Sequence, residues 1–319
     1  MACHPTSEKI RGVRSDICCI YTNGWVMTRD LRGYWSAEPA PCWPNDAKLA
    51  VSFVVNIEEG AELSVARGDE RNESRYEAIE EVKGAPDLCM ESHFGYGPRR
   101  GYQRITQALA AHDATATFST CGRAAEATPW LIKDAVARGH EISCHGWRWE
   151  THAGMGTNQE RDVIAKTHET LSKIAGVAPV GWHTRSATSP QTRDLLKEHG
   201  GFAYDSNAYD DDIPYMDGDL VVLPYAFDTN DMRFTPGGGF VQAADFSDYV
   251  IAGFERLYAE GAQAARMMSI GLHTRIIGRP SRIGGLDAVL SHIAARPDVW
   301  IAPRKEIAAC WATHHGTAP

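Results

Sequence analysis

The sequence predicts one barrel-like α/β domain, and three observations carry that reading. From about residue 48 onward, short β-branched runs alternate with amphipathic helical stretches. Several runs are apolar throughout, as strands covered on both faces are, and no break in composition interrupts the alternation. The strand candidates are 48–57, 114–120, 140–146, 179–184, 202–206, 220–225, 267–274 and 298–303. Eight such strands with helices between them point to a (β/α) barrel over residues 46–319, while residues 1–45, rich in Trp, Pro and Gly, read as an N-terminal arm packed on the outside.

Two helices announce their borders. Thr157-Asn158-Gln159-Glu160 has the form of a capping box before a helix that Gly176 ends, and Ser189-Pro190 offers an N-cap and a first-turn proline before a helix that Gly200 ends. Segments 58–101 and 229–240 lack a helical period and read as long loops, which in compact domains tend to carry function.

A formal net charge of −9 over 319 residues offers no basic stripe for phosphates, so nucleic acid and anionic membrane are excluded as first partners. No apolar run approaches the roughly 18 residues of a membrane span. The N-terminus lacks the apolar centre of a secretory signal, so a cytoplasmic location is expected. Eight scattered cysteines without a C-x-x-C pair read as reduced thiols.

Titratable groups collect where the strands end. Glu58 and Glu59 follow 48–57, His145 closes 140–146, His183 and Arg185 close 179–184, Asp205 ends 202–206, and His273 and Arg275 end 267–274. That is the rim on which parallel barrels build active sites. A lone histidine at a strand end most often anchors a loop, and adjacent glutamates usually sit in solvent. Here both glutamates lie between an apolar strand and a glycine, which favours a place at the barrel mouth. Trp147 and Trp149 suit the wall of a pocket for a small planar ring. A carboxylate beside a histidine supplies a base and an acid for hydrolysis, and without a G-x-S-x-G elbow or an activated cysteine, water is the nucleophile.

The segments "RDLRGYW" (29–35), "WPNDAKLAVSFVVNIEEGAE" (43–62), "ESHFGYGPRRG" (91–101), "GHEISCHGWRWE" (139–150), "SPQTRDLL" (189–196) and "GLHTRIIGRP" (271–280) resemble the polysaccharide deacetylase superfamily, in the branch of allantoinase and cyclic-imide hydrolases. The resemblance implies a distorted (β/α) barrel of about seven strands and association into a homo-oligomer. It implies Glu58 as general base, Glu59 as ligand carboxylate, His145 as first ligand histidine and His273 as general acid. Trp149 stands where the second ligand histidine belongs, and indole has no lone pair to offer. Any metal site is therefore incomplete, with Glu59 and His145 alone, and the cofactor expectation is either none or a loosely held divalent metal such as zinc. His183-Thr184-Arg185 departs from the tyrosine and glycine that an allantoinase implies at this strand end.

The function expected is hydrolysis of a C–N bond in a small cyclic amide, ureide or imide. Glu58, His145 and His273 are the catalytic candidates, and Glu59, Trp147, Trp149, His183, Arg185, Asp205 and Arg275 the substrate-binding ones, with Arg185, Arg275 or loop N–H groups stabilising the oxyanion. A metal-dependent N-deacetylase of an acetylated sugar or acetamide is the alternative, and a non-catalytic ligand-binding barrel a third reading.

Overall fold

The computed structural model of the protein describes residues 18–22, 25–29, 31, 33–34, 38–74, 76–77 and 80–315. The chain separates into two units between Ala40 and Pro41. The first contains an antiparallel hairpin of β1 (Cys18–Thr22) and β2 (Trp25–Arg29). Much of the expected arm lies outside the described residues, including Asp30, Arg32 and Trp35 of the first quoted motif.

In the second unit the strands are β3 (Leu49–Ile57), β4 (Ala116–Thr120), β5 (Glu141–Cys144), β6 (Gly181–Trp182), β7 (Tyr204–Asp205), β8 (Tyr215–Asp217), β9 (Leu220–Val222), β10 (Arg266–His273) and β11 (Val299–Ile301). They form one nine-stranded sheet whose path runs β10-β3-β4-β5-β6-β7-β9-β8, with β11 against β3. All eight expected strands are present. The added β8 is a short edge antiparallel to β9, and every other pairing is parallel. β10 covers one edge of β3 from 49 to 56, while β11 and β4 share the other edge. That enclosure explains why β3 is buried along its whole length and reads as an apolar run. The sheet curls toward closure, because the Met267 N–H donates to the Asp212 carbonyl and the Gly271 N–H to that of Thr229.

Helices α1 (Leu88–Tyr96), α2 (Tyr102–Ala111), α3 (Gly122–Ala127), α4 (Pro129–Ala137), α5 (Thr157–Ala175), α6 (Thr192–His199), α7 (Ala243–Glu260), α8 (Pro280–Ala294) and α9 (Arg304–His315) complete the unit. Segment 58–101 is thus not one loop. Its second half is α1, entered through the Asp87 side chain accepting from the Met90 N–H, and a π-helical turn over Gly97–Gly101 that runs into α2. The proposed capping box at Thr157 is also corrected. Gly156 is the N-cap, and Glu160 turns inward to accept hydrogen bonds from Ser189 and Thr192 and to meet His152 at 3.0 Å. Ser189 caps a turn before the helix, accepting from the Gln191 N–H, and α6 begins at Thr192. Gly176 and Gly200 end their helices in the left-handed region, as expected.

Alternation along the strands sorts the interior. On β3, Leu49, Val51, Phe53, Val55 and Ile57 join the larger apolar cluster with the helices, as do Met268, Ile270 and Leu272 of β10. Ala50 and Met267 belong instead to a second cluster with Tyr204, Val221, Leu223 and α9 residues Ile307 and Trp311. Residues two apart share a face of a strand, so Ser52, Asn56 and Glu58 follow Ala50, while Ser269, Gly271 and His273 follow Met267. One face therefore passes from apolar at its N-terminal end to polar at the rim.

Arg304, buried at the start of α9, fills the middle of that face. Its guanidinium donates to Ser206 Oγ at 2.9 Å, Ser269 Oγ at 2.7 Å, the Pro224 carbonyl at 3.1 Å and the Leu223 carbonyl, joining the β9 end of the sheet to β10. Arg304→Met is expected to lower stability by about 1–2 kcal/mol. The Leu223 carbonyl loses its donor at a cost of about 1–3 kcal/mol, the Pro224 carbonyl keeps its bond from Ser269 Oγ, and relief of the buried charge returns part of the loss. A urea midpoint unchanged from wild type would contradict this.

Candidate active site

The rim brings three of the expected residues together. Glu58 Oε1 lies 3.3 Å from His145 Nε2 and 3.3 Å from His273 Nε2, and all three side chains are buried. Each histidine is held from behind. His145 Nδ1 faces the His183 carbonyl at 3.0 Å, which makes it the donor there. His273 Nδ1 meets Asp231 Oδ1 at 2.6 Å, and Asp231 Oδ2 accepts from the backbone N–H groups of His273 and Ile277.

Arg275 sets the charge balance. Its guanidinium lies 2.7 Å from Glu58 Oε2 and 3.5 Å from Glu59 Oε1. The N–H vectors of Arg275 do not align on Glu58 Oε2, so the contact is an ion pair and not a linear hydrogen bond. Burial alone would raise the pKa of Glu58, but the charges of Arg275 and His273 and hydrogen bonds from both histidines outweigh it and hold the group well below the usual carboxylate range. Burial likewise opposes the charge on His273, yet Glu58 and Asp231 win and raise it to about 9. At neutral pH the carboxylate is ionised and the imidazole protonated, the states a base and an acid require.

The cavity above these groups measures about 140 Å³ and is lined by Asn56, Glu58, His145, His183, Arg185, Tyr209, Tyr225, Phe227, Asn230 and His273, among others. Trp149 belongs to its wall, with the Arg185 guanidinium 3.6 Å and that of Arg275 5.0 Å from the ring centroid. His183 stacks on His145 at 5.0 Å, and burial, then the charges of His145 and Arg304, hold it neutral. Arg185 donates to both Glu73 oxygens, at 2.9 and 3.1 Å, and to the Trp149 carbonyl at 2.9 Å.

The remaining sequence candidates lie elsewhere. Glu59 turns away from the cavity to accept from Thr274 beneath Gly97, where an added Cβ would collide with both side chains, and burial raises its pKa. Arg275 is spent on the two glutamates, so the oxyanion role expected of it has no support in its placement. Trp147 packs against Gly122 under Lys166, whose Nζ is 3.5 Å from the ring centroid. Asp205 is tied to Arg193 and Asn207. None of these four lines the cavity.

Sequence reasoning missed Asp231 and the wall formed by Asn56, Tyr209, Tyr225, Phe227 and Asn230. Two signals were available: 229–240 stood out as a loop, and Asn56 is a polar residue in an apolar run two positions before Glu58.

Acid–base side chains thus gather at the strand ends of a curled parallel sheet, the rim on which (β/α) barrels build active sites. The family model for polysaccharide deacetylase matches residues 84–202. A Schizosaccharomyces pombe (strain 972 / ATCC 24843) protein described as "Putative polysaccharide deacetylase" is 35% identical over 315 residues, covering 90% of this chain and 98% of that one. The chain belongs to the polysaccharide deacetylase family, and on that ground hydrolysis of C–N bonds is its reaction class. The crystal structure of PuuE allantoinase aligns with a TM-score of 0.86 and 40% identity over 91% of this chain and 99% of that one. That of a "probable Polysaccharide deacetylase" from Pseudomonas aeruginosa PAO1 gives 0.87 and 40% over the same shares. The expected superfamily and branch are thereby borne out.

The divalent metal that the family implies is not matched by these residues. Among the described residues no group of three or more His, Cys, Asp or Glu side chains is arranged to hold an ion. Glu58 and Glu59 already face a guanidinium, and Trp149 brings no lone pair to the position of the second histidine. His152 is no substitute, since it does not line the cavity that holds Glu58, His145 and His273. Among the described residues no helix is long and apolar enough to cross a membrane.

Proposed function

We propose that the protein opens the C–N bond of a small cyclic amide, ureide or imide by attack of water. The observation that carries this reading is the Glu58 carboxylate set between His145 and His273 and charge-balanced by Arg275. Glu58 takes a proton from water as its oxygen bonds to the ring carbonyl carbon. His273, oriented by Asp231, gives its proton to the leaving nitrogen as the C–N bond breaks. His145 holds Glu58 in place from the other side. A cavity of about 140 Å³ is below the roughly 300–1,000 Å³ of drug-sized ligand sites, and its aromatic wall suits one small flat ring better than a sugar chain. The allantoinase among the neighbours supports the ring-opening class. His183 and Arg185 on the wall favour a ring other than allantoin.

The description of the Schizosaccharomyces relative favours the second reading, a metal-dependent N-deacetylase. A hydrolysis screen separates the two. Chelator-treated protein is assayed on succinimide, hydantoin, dihydrouracil, allantoin and N-acetylglucosamine oligomers, then again with zinc restored. Ring opening without metal is expected. Acetyl release alone, and only with zinc, would replace this proposal with the deacetylase.

A further inference from the structure

Tyr225 and Asn56, which line the cavity, each carry a polar group that the acid–base set does not use. The Tyr225 hydroxyl oxygen accepts from Asn56 Nδ2 at 3.1 Å and from Asn230 Nδ2 at 3.3 Å. Two N–H donors occupy its acceptor sites, so its one O–H is left to donate, and no acceptor for it occurs among the described residues. Burial pushes the phenol pKa up, which keeps that proton in place. The second hydrogen of Asn56 Nδ2 goes to the Leu272 carbonyl at 3.2 Å. That bond fixes the amide, since a flip would set Oδ1 against a carbonyl. Asn56 Oδ1 is consequently a buried acceptor without a partner among the described residues. Gly271 permits the arrangement, because a Cβ there would strike both the Tyr225 hydroxyl and the Asn230 amide.

Both residues stand beside the chemistry. Asn56 pairs with His273 across the parallel β3/β10 register and lies two residues before Glu58. Tyr225 packs 4.6 Å from the His183 ring. A donor therefore sits next to an acceptor on one wall.

We propose that Tyr225 and Asn56 read the cis edge of a ring amide, the Tyr225 O–H donating to the scissile carbonyl oxygen and Asn56 Oδ1 accepting from the adjacent ring N–H. The inference rests on the ring-opening reading and narrows it to rings with an unsubstituted N–H beside the carbonyl. A ring holds its amide cis, with N–H and C=O on the same edge. A linear secondary amide is trans and presents them on opposite edges, so matching this pair requires a conformer populated at about one part in a hundred or less. As water adds, the carbonyl oxygen gains negative charge and the Tyr225 donor strengthens. When the C–N bond breaks, the nitrogen keeps its own hydrogen toward Asn56 and receives a second from His273.

The test compares succinimide with N-methylsuccinimide, using wild type, Asn56→Ala and Tyr225→Phe. Wild type is expected to prefer succinimide by about 100-fold in kcat/KM. Asn56→Ala is expected to reduce that preference to a few-fold, since it removes the acceptor and makes room for the methyl group. Tyr225→Phe is expected to lower kcat on succinimide by about 100- to 1,000-fold with little change in KM, the loss typical of an oxyanion donor. Should Asn56→Ala fail to fold, the near-isosteric Tyr225→Phe decides alone. Wild type that opens succinimide while the variants keep its selectivity and kcat overturns the pair and leaves the ring-opening reading standing. Wild type that opens neither imide nor hydantoin overturns the ring-opening reading, and the pair with it.

Discussion

Under the proposed mechanism, Glu58→Gln is expected to reduce kcat on a ring substrate by about 100- to 10,000-fold, the contribution of a positioned general base. The amide keeps the shape of the carboxylate but can neither take the proton of water nor balance Arg275 and His273. Arg275 retains Glu59 at 3.5 Å, so the buried cation is not left wholly without a counter-ion, and the variant is expected to fold. The same change removes the largest charge that raises His273, so residual activity should be lost at lower pH than in wild type. Steady-state kinetics together with a thermal melt check both parts. Full turnover in a folded Glu58→Gln variant would remove Glu58 from the mechanism.

Asp231→Asn tests the acid. His273 has a folded pKa of about 9, raised above its ordinary 6.5 by Glu58 and Asp231 against the opposing effect of burial. A raised histidine stabilises the fold fully below its unfolded pKa, and that contribution is lost as pH rises through about 9. Activity follows the same direction, because the acid must carry its proton: kcat/KM should fall on an alkaline limb near pH 9 in wild type. Asp231→Asn withdraws one of the two raising charges and the Nδ1 acceptor, so the limb should move down toward neutral pH and kcat should drop by about 100- to 10,000-fold. A pH–rate profile with an unmoved alkaline limb would assign that ionisation to another group.

How far the sequence reveals this site depends on which part of it is covalently local. β3 and β10 are legible because full burial of both faces writes an apolar run, and the catalytic candidates Glu58 and His273 are legible because they interrupt such runs at the rim. Thr157 shows the limit of local rules. Its capping-box pattern is present, but the buried hydroxyls of Ser189 and Thr192, brought close only by folding, compete for Glu160 and take it. Asp231 is hidden for the same reason, since it is 42 residues from the histidine it orients. Arg275 was visible at a strand end, but its partners were not. That it faces two glutamates follows from the register of β10 on β3, a fact of the folded sheet.

The curled sheet finishes its turn with a segment and not a strand: Thr229 bonds to Gly271, and the same stretch supplies Tyr225, Phe227, Asn230 and Asp231. Reaction and selectivity thus have different mechanical supports. Glu58 and His273 are anchored to neighbouring, fully paired strands whose register tolerates little change, whereas Phe227, 57% exposed, and its stacking partner Tyr209 belong to irregular chain that can be rebuilt at low cost to the sheet. Under the proposed ring-opening function, exchanges at Tyr209 and Phe227 are expected to change which ring is accepted without disturbing the proposed acid–base set. Asp231, lying on the same segment yet serving His273, marks the point beyond which such exchange begins to cost turnover.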